Sequence, residues 1–273
     1  MQNLIFNFVG LVVSDWPAAY AFVHNQLGIV AKSNPEYGDW AVLGGGWEPY
    51  YQEHSRGAIC ELFDGGRRVS KRQWGVNQGI RPGFHVPDVS AAQDELRARG
   101  IANVGTITDR QWGRSIEVDT VEGIRIGLAE IPGRPFSADL NVPYIGHVAI
   151  RCADFTAMRT FYSDILGFSL MAGGDDYAVL GQPDGHPLVI LEPGGLPSGF
   201  DPRGTQWADD PVRAFPVFLS LMTSDVHGEA ARLQPLDVTV YRGVVSHTDW
   251  NGTDLHIADP DGNALQIVQY AVV

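Results

Sequence analysis

Gly146–Phe168, G-H-V-A-I-R-C-A-D-F-T-A-M-R-T-F-Y-S-D-I-L-G-F, is the stretch that decides the fold. It runs from an apolar strand-like segment into Asp154. A helical stretch follows, in which Met158, Phe161, Tyr162 and Leu166 recur at helical spacing, and it stops at Gly167. An Asp in that place caps a helix by accepting hydrogen bonds from free first-turn N–H groups. A Gly after the last turn supplies a left-handed termination. The same order returns three times: F-N-F-V-G-L-V-V-S-D ends at Asp15, R-P-G-F-H-V-P-D at Asp88 and F-L-S-L-M-T-S-D at Asp225. Gly28 and Gly100 close the first two of these helices, and Pro17 sits in a first turn that tolerates its missing donor. Short β-rich runs come after each helix, punctuated by turns such as Q-P-D-G (Gln182–Gly185) and D-P-D-G (Asp259–Gly262).

The chain is therefore four β-α-β-β-β modules with roughly 65–75 residues between equivalent Asp residues. A length of 273 residues accommodates two medium domains, each with its own core. Hydrophobic and charged fractions of 44% and 19% are those of an ordinary globular protein and exclude disordered and fibrous classes. The net charge of -13 argues against nucleic acid and anionic membranes as partners. No apolar run approaches the ~20 residues needed to span a bilayer. The N-terminus M-Q-N-L-I-F-N-F lacks the features of a secretion signal. Cys60 and Cys152 sit in apolar runs without a C-x-x-C partner, as buried reduced thiols of a cytoplasmic protein would. Phosphate loops, serine-hydrolase elbows and H-E-x-x-H helices are missing from the sequence.

The C-terminal segment V-S-H-T-D-W-N-G-T-D-L-H-I-A-D-P-D-G-N-A-L-Q (Val245–Gln266) resembles the signature of extradiol ring-cleaving dioxygenases. These belong to the vicinal-oxygen-chelate superfamily (glyoxalase/bleomycin resistance protein/extradiol dioxygenase). His247, Leu255, Asp259, Pro260 and Gly262 fall in register, while His256 stands where that signature has Tyr and Gln266 where it has a metal-binding Glu. The resemblance covers almost the whole chain. It implies the α+β fold class, because antiparallel strand pairing dominates in that superfamily, and two glyoxalase/dioxygenase-like domains of two modules each, at 1–133 and 143–273, with 134–142 as linker, each curling around a concave cavity.

The resemblance also places the metal ligands, on first and last strands of paired modules. The corresponding positions are Phe8, Glu61, Arg81 and Gly127 in the first domain, and His147, Val189 or Ile190, Phe218 and Gln266 in the second. One imidazole and one neutral amide are too few donors for tight Fe(II) or Zn(II) binding, so no cofactor is expected. His147 and Gln266 are the weak metal candidates, with Fe(II) or another divalent metal as the alternative. The implied ligand is a small planar or aromatic molecule in the C-terminal cavity. His247 and His256 are the proton-transfer candidates, because imidazoles suit general acid–base work. His147, Phe218, Trp250 and Gln266 would contact the ligand, with Phe155, Phe161 and Tyr162 lining the cavity. In the first cavity Arg81 either forms an ion pair with Glu61 or holds an anionic group of the ligand. G-G-G-W-E-P-Y-Y, with Trp40 nearby, is an aromatic lid, a contact of a homodimer or turn packing. The readings left open are a binding protein or metal-independent enzyme, a metal-dependent dioxygenase or glyoxalase-like lyase with altered ligands, and an antibiotic-sequestering resistance protein.

Overall fold

The computed structural model describes residues 4–33, 40–43, 59–64, 79–134, 145–182, 188–206 and 208–271. Trp47, Tyr50, Tyr51 and most of the linker lie outside these residues, and so does the side chain of Trp40.

The four modules form where the repeat predicts. The first comprises β1 (Ile5–Val13), α1 (Trp16–Ala21), β2 (Ala31–Ser33), β3 (Trp40–Leu43) and β4 (Ile59–Asp64). The second comprises β5 (Ile80–His85), α2 (Val89–Ala98), β6 (Thr108–Arg110), β7 (Gly113–Asp119) and β8 (Arg125–Glu130). The third comprises β9 (Ile145–Cys152), α3 (Phe155–Thr160), β10 (Ser169–Gly173), β11 (Ala178–Gly181) and β12 (Leu188–Pro193). The fourth comprises β13 (Val217–Met222), α4 (Val226–Leu233), β14 (Val240–His247), β15 (Gly252–Ala258) and β16 (Ala264–Tyr270). Each expected Asp caps its helix: Asp15 accepts from Ala18 N, Asp88 from Ser90 N and Ala91 N, Asp154 from Ala157 N, and Asp225 from Gly228 N. Gly28, Gly100 and Gly167 adopt φ of 72°, 81° and 82°, as left-handed helix ends require.

The modules combine across the halves of the chain. One eight-stranded sheet has the order β14-β15-β16-β13-β1-β4-β3-β2 and joins the fourth module to the first. The other, β10-β11-β12-β9-β5-β8-β7-β6, joins the third to the second. At each centre two first strands run antiparallel, with Gly10 opposite Phe218 and Gly83 opposite His147. We call these the outer-module and inner-module sheets. The sequence reading assigned one cavity to each half of the chain, and this differs. Backbone hydrogen bonds are the same for every residue type, so periodicity fixes which face of a strand is apolar but not which module it pairs with.

Consecutive modules are held together on the helix side instead. Glu122 of the β7–β8 turn accepts from Ser14 N (2.8 Å) and Asp15 N, where α1 begins. In the second half Asp261 does the same for Ala153 N (2.7 Å), just before α3. Arg99 donates to the Leu27 carbonyl and Arg232 to that of Ile165, each tying two consecutive helices. The D-P-D-G turn is thus a structural brace. Its Asp259 accepts from Asp261 N, Asn263 N, Asn263 Nδ2 and Tyr162 OH. Burial nevertheless pushes that carboxyl up to about 7, against these donors. A single apolar cluster containing Val9, Leu62, Ile80, Ile116, Val148, Leu191, Leu219 and Ile267 runs beneath both sheets. Phe161 and Tyr162 belong to it and Phe155 packs against it, so these three do not line a cavity as expected. Among the described residues no helix is long and apolar enough to cross a membrane.

Because each half supplies only half of each sheet, residues 1–133 and 143–273 expressed separately should not fold as monomers. Mixed together, they should recover the native circular dichroism and cooperative unfolding. A cooperatively folded monomer of either half alone would show that the sheets are not shared between the halves.

Candidate functional site

On the outer-module sheet, alternation along β15 puts Asp254 and His256 on the face away from the helices. Register carries that face across the sheet, from His256 to Gln266, Ser220 and Phe8. Asp254 is the hub. His247 Nε2 and His256 Nε2 both lie 2.9 Å from its carboxylate, Gln266 Nε2 donates at 2.8 Å, and Arg242 forms an ion pair with it. Burial raises the pKa of Asp254, but His256, Gln266 and Arg242 outweigh it and hold the carboxyl well below the usual range. A carboxylate only accepts, so His256 carries its proton on Nε2. The Arg242 nitrogen 2.9 Å from that atom is then spent on Asp254 rather than on the imidazole. Burial lowers the pKa of His256 despite its bond to Asp254, which keeps the ring neutral. His247 is the outermost member of the group, its ring stacked on Trp250 at 4.7 Å.

Aromatic rings fill the positions beside this group. Phe8, Phe63 and Phe218 meet at 5.7–6.0 Å, and the Phe218 ring lies on Gly10, where a Cβ would come within 2.1 Å of it. Glu61, opposite Gly10 in β4, shares this face. Gln266 is committed on both sides, accepting from Ser220 Oγ at 3.1 Å while donating to Asp254.

The inner-module sheet carries a different set. His147 lies flat on Gly83 and stacks with His85 at 5.2 Å, with Trp112 tilted beside it at 5.4 Å. Arg81 pairs with Glu117 and Glu192, not with Glu61 as expected, because Glu61 is in the other sheet. Arg110 reaches Glu192 at 3.1 Å, and Trp112 Nε1 donates to the same carboxylate at 3.1 Å. Arg81, Arg110, Trp112, Glu117, His147 and Glu192 line a narrow cleft on this face. Ile190 rather than Val189 lies on this side of the sheet: Ile190 packs with Trp112 and Ala149, whereas Val189 is in the main core.

The structure therefore unites His247, His256, Gln266, Phe218 and Trp250 on one sheet and separates His147 and Arg81 from them on the other. Joining all of these around one cavity is corrected by the exchange of modules. Neither set fits a divalent metal. The outer positions offer Phe8, Phe218, Glu61 and an amide already bonded twice. The inner ones offer His147 beside a guanidinium, a glycine and Ile190. Among the described residues no three His, Cys, Asp or Glu side chains are grouped to hold a metal ion. Sequence reasoning missed Asp254, Arg242, Glu117, Glu192, Arg110 and Trp112. Asp254 was legible, two residues before His256 on a strand, and so was Glu192, two after Ile190. The others arrive from neighbouring strands.

Asp254→Ala would leave Arg242 buried without its carboxylate, and urea unfolding should show a loss of about 3–5 kcal/mol. A change below about 1 kcal/mol would mean that the carboxylate is not the hub. His147 gives a second test. Burial, His85 and Arg81 hold its pKa well below the ordinary value, so the folded protein keeps it neutral. The unfolded chain takes up a proton below about pH 6.5, so His147 costs stability as pH falls from there, by up to about 1.4 kcal/mol per unit. His256 acts in the same sense, and Asp259 in the opposite sense up to about pH 7. His147→Phe isolates the first contribution: from pH 7 to pH 5 the variant should lose about 1–2 kcal/mol less than wild type in urea melts. Equal losses would place a protonated His147 in the folded state.

Residues 144–267 match the Glyoxalase/Bleomycin resistance protein/Dioxygenase superfamily model. No curated protein matches the chain. Among solved structures, glyoxalase I from Zea mays superimposes with a TM-score of 0.66 at 15% identity, covering 98% of this chain and 93% of that one. A putative dioxygenase from Bacillus subtilis gives 0.62 at 12% identity, covering 99% and 86%. Residues 144–267 are thus similar in sequence to the glyoxalase/bleomycin resistance protein/dioxygenase superfamily, and over all four modules the chain shares the fold of these solved structures.

Proposed function

We propose that the chain binds a small planar or aromatic molecule on the outer-module sheet, and that His247 exchanges a proton with it without the help of a metal. The observation that carries this reading is the contact of His247 with the buried Asp254 carboxylate, made by an imidazole that is itself stacked on Trp250. With Nε2–H donated to Asp254, Nδ1 is left as the base. Arg242, His256 and Gln266 fix the carboxylate, so His247 is held in one tautomer and one orientation. Trp250 on one side and the Phe8–Phe63–Phe218 group on the other favour a flat apolar ligand. The two buried free thiols, Cys60 and Cys152, suit a reducing cytoplasm.

The test is a ligand-observed NMR screen of planar aromatic fragments, together with elemental analysis of protein purified without chelator. Fragments that bind wild type should weaken by about tenfold or more in His247→Ala, a loss of about 1.4 kcal/mol. Transition metals should stay well below one per chain. Binding indifferent to His247→Ala would remove the proposed role. One firmly held transition metal per chain would replace it with a metalloenzyme.

A further inference from the structure

A connecting segment crosses the outer-module sheet beside the Asp254 group. Residues 208–215, between β12 and β13, include a short 3-10 turn, Pro211–Ala214. Val212, Ala214 and Phe215 are buried in one apolar cluster with Val12, Tyr241, Ala258 and Ala264. Ala258 pairs with Ala264 as His256 pairs with Gln266, so the segment lies on the same face as Asp254, at the Ala258 end of β15. The two alanines leave room for it there. Little backbone bonding fastens it. Arg213 N and Phe215 N donate to Asp210 O and Val212 O, both at 3.2 Å and both within the segment. Its junction with β13 is pinned by Val12 N, which donates to the Pro216 carbonyl at 2.9 Å. Side chains do the rest. Phe215 stacks on Tyr241 at 5.8 Å, and Arg213, paired with Asp210 at 3.0 Å, lies over the Phe63 ring at 5.3 Å. Arg242 of β14 donates to the Asp209 carbonyl with one terminal nitrogen and to the Asp254 carboxylate with the other. A segment held by side chains and local turns opens at a lower free energy than strands bonded on both edges.

We infer that 208–215 is a strap that lifts from the outer-module sheet as a unit, hinged at Pro216, while both sheets stay folded, and that Arg242 latches it to the Asp254 carboxylate. Closed, the strap roofs Phe63 with Arg213 and fills the face over Ala258 and Ala264. Lifted, it uncovers Phe63 and lengthens the face open to a planar ligand. That consequence for a ligand rests on the proposed function, whereas the motion itself does not. One guanidinium serves both tasks, so a change at Asp254 is felt at the strap, and a change at the strap is felt at Asp254 by the same amount.

The experiment labels thiols of the full-length protein with iodoacetamide and reads each one by peptide mass spectrometry. Ala214→Cys puts a small thiol beneath the strap, at a position only 4% exposed. The native Cys60 and Cys152, both fully buried in the sheets, report global opening in the same molecule. The introduced thiol should react about 100-fold faster than either native one. Asp254→Asn, whose link to the strap is Arg242, should raise that ratio about fivefold. Arg213→Gln leaves the Asp254 group intact and should raise it about threefold, which keeps the test decisive if Asp254→Asn does not fold. Equal rates for all three thiols would mean that the segment leaves the sheet only when the whole fold does. A ratio unchanged or lowered by Asp254→Asn would mean that Arg242 does not join strap to carboxylate, and one unchanged by Arg213→Gln that the strap is not fastened at Phe63. Any of these results overturns the inference. No ligand enters the measurement, so a failed fragment screen would remove the proposed ligand and leave the strap to be judged by its own thiol.

Discussion

The structure depends on the antiparallel pairing of first strands from modules that are not the expected partners: β1 with β13 and β5 with β9. At the centre of each pair an aromatic ring lies on a strand glycine, Phe218 on Gly10 and His147 on Gly83, at separations that no Cβ would permit. These glycines set the register, because a one-residue slip would drive a side chain into the ring and turn every facing residue to the other side of the sheet. The Asp254 group and the Arg81 cleft both follow from this register.

The two sheets make unlike use of one frame. On the outer-module sheet rings occupy the positions beside Asp254, and the polar chemistry is drawn to one buried carboxylate with four partners. On the inner-module sheet a ring of alternating guanidinium and carboxylate groups surrounds a neutral imidazole. In both, a polar group on the face away from the helices survives burial because it is paired: Asp254 by Arg242 and the imidazoles, Arg81 by Glu117 and Glu192. Pairing of this kind holds side chains in fixed orientations, which a site must do before it can discriminate between ligands.

The braces act on the opposite side. Glu122 and Asp261 bind the start of the preceding module's helix, and Arg99 and Arg232 bind the end of it. Sequence neighbours therefore meet through helices and turns, while sheets are made between modules from different halves of the chain. The D-P-D-G turn illustrates the difference: in this chain its carboxylates hold backbone N–H groups.

The sequence by itself determined the modules. Asp15, Asp88, Asp154 and Asp225 cap helices because a carboxylate three residues ahead of a free N–H does so wherever it occurs, and Gly28, Gly100 and Gly167 end them through a backbone conformation that favours glycine. It also determined that Asp254 and His256 share a face, since alternation is a local property of strands. Only the tertiary structure decided that His147 stands apart from them, that Arg81 meets Glu117 and Glu192 instead of Glu61, and that Asp254 is the centre of its group. Those relations depend on which strand edges pair, and edge pairing is made by backbone groups that all residues have in common.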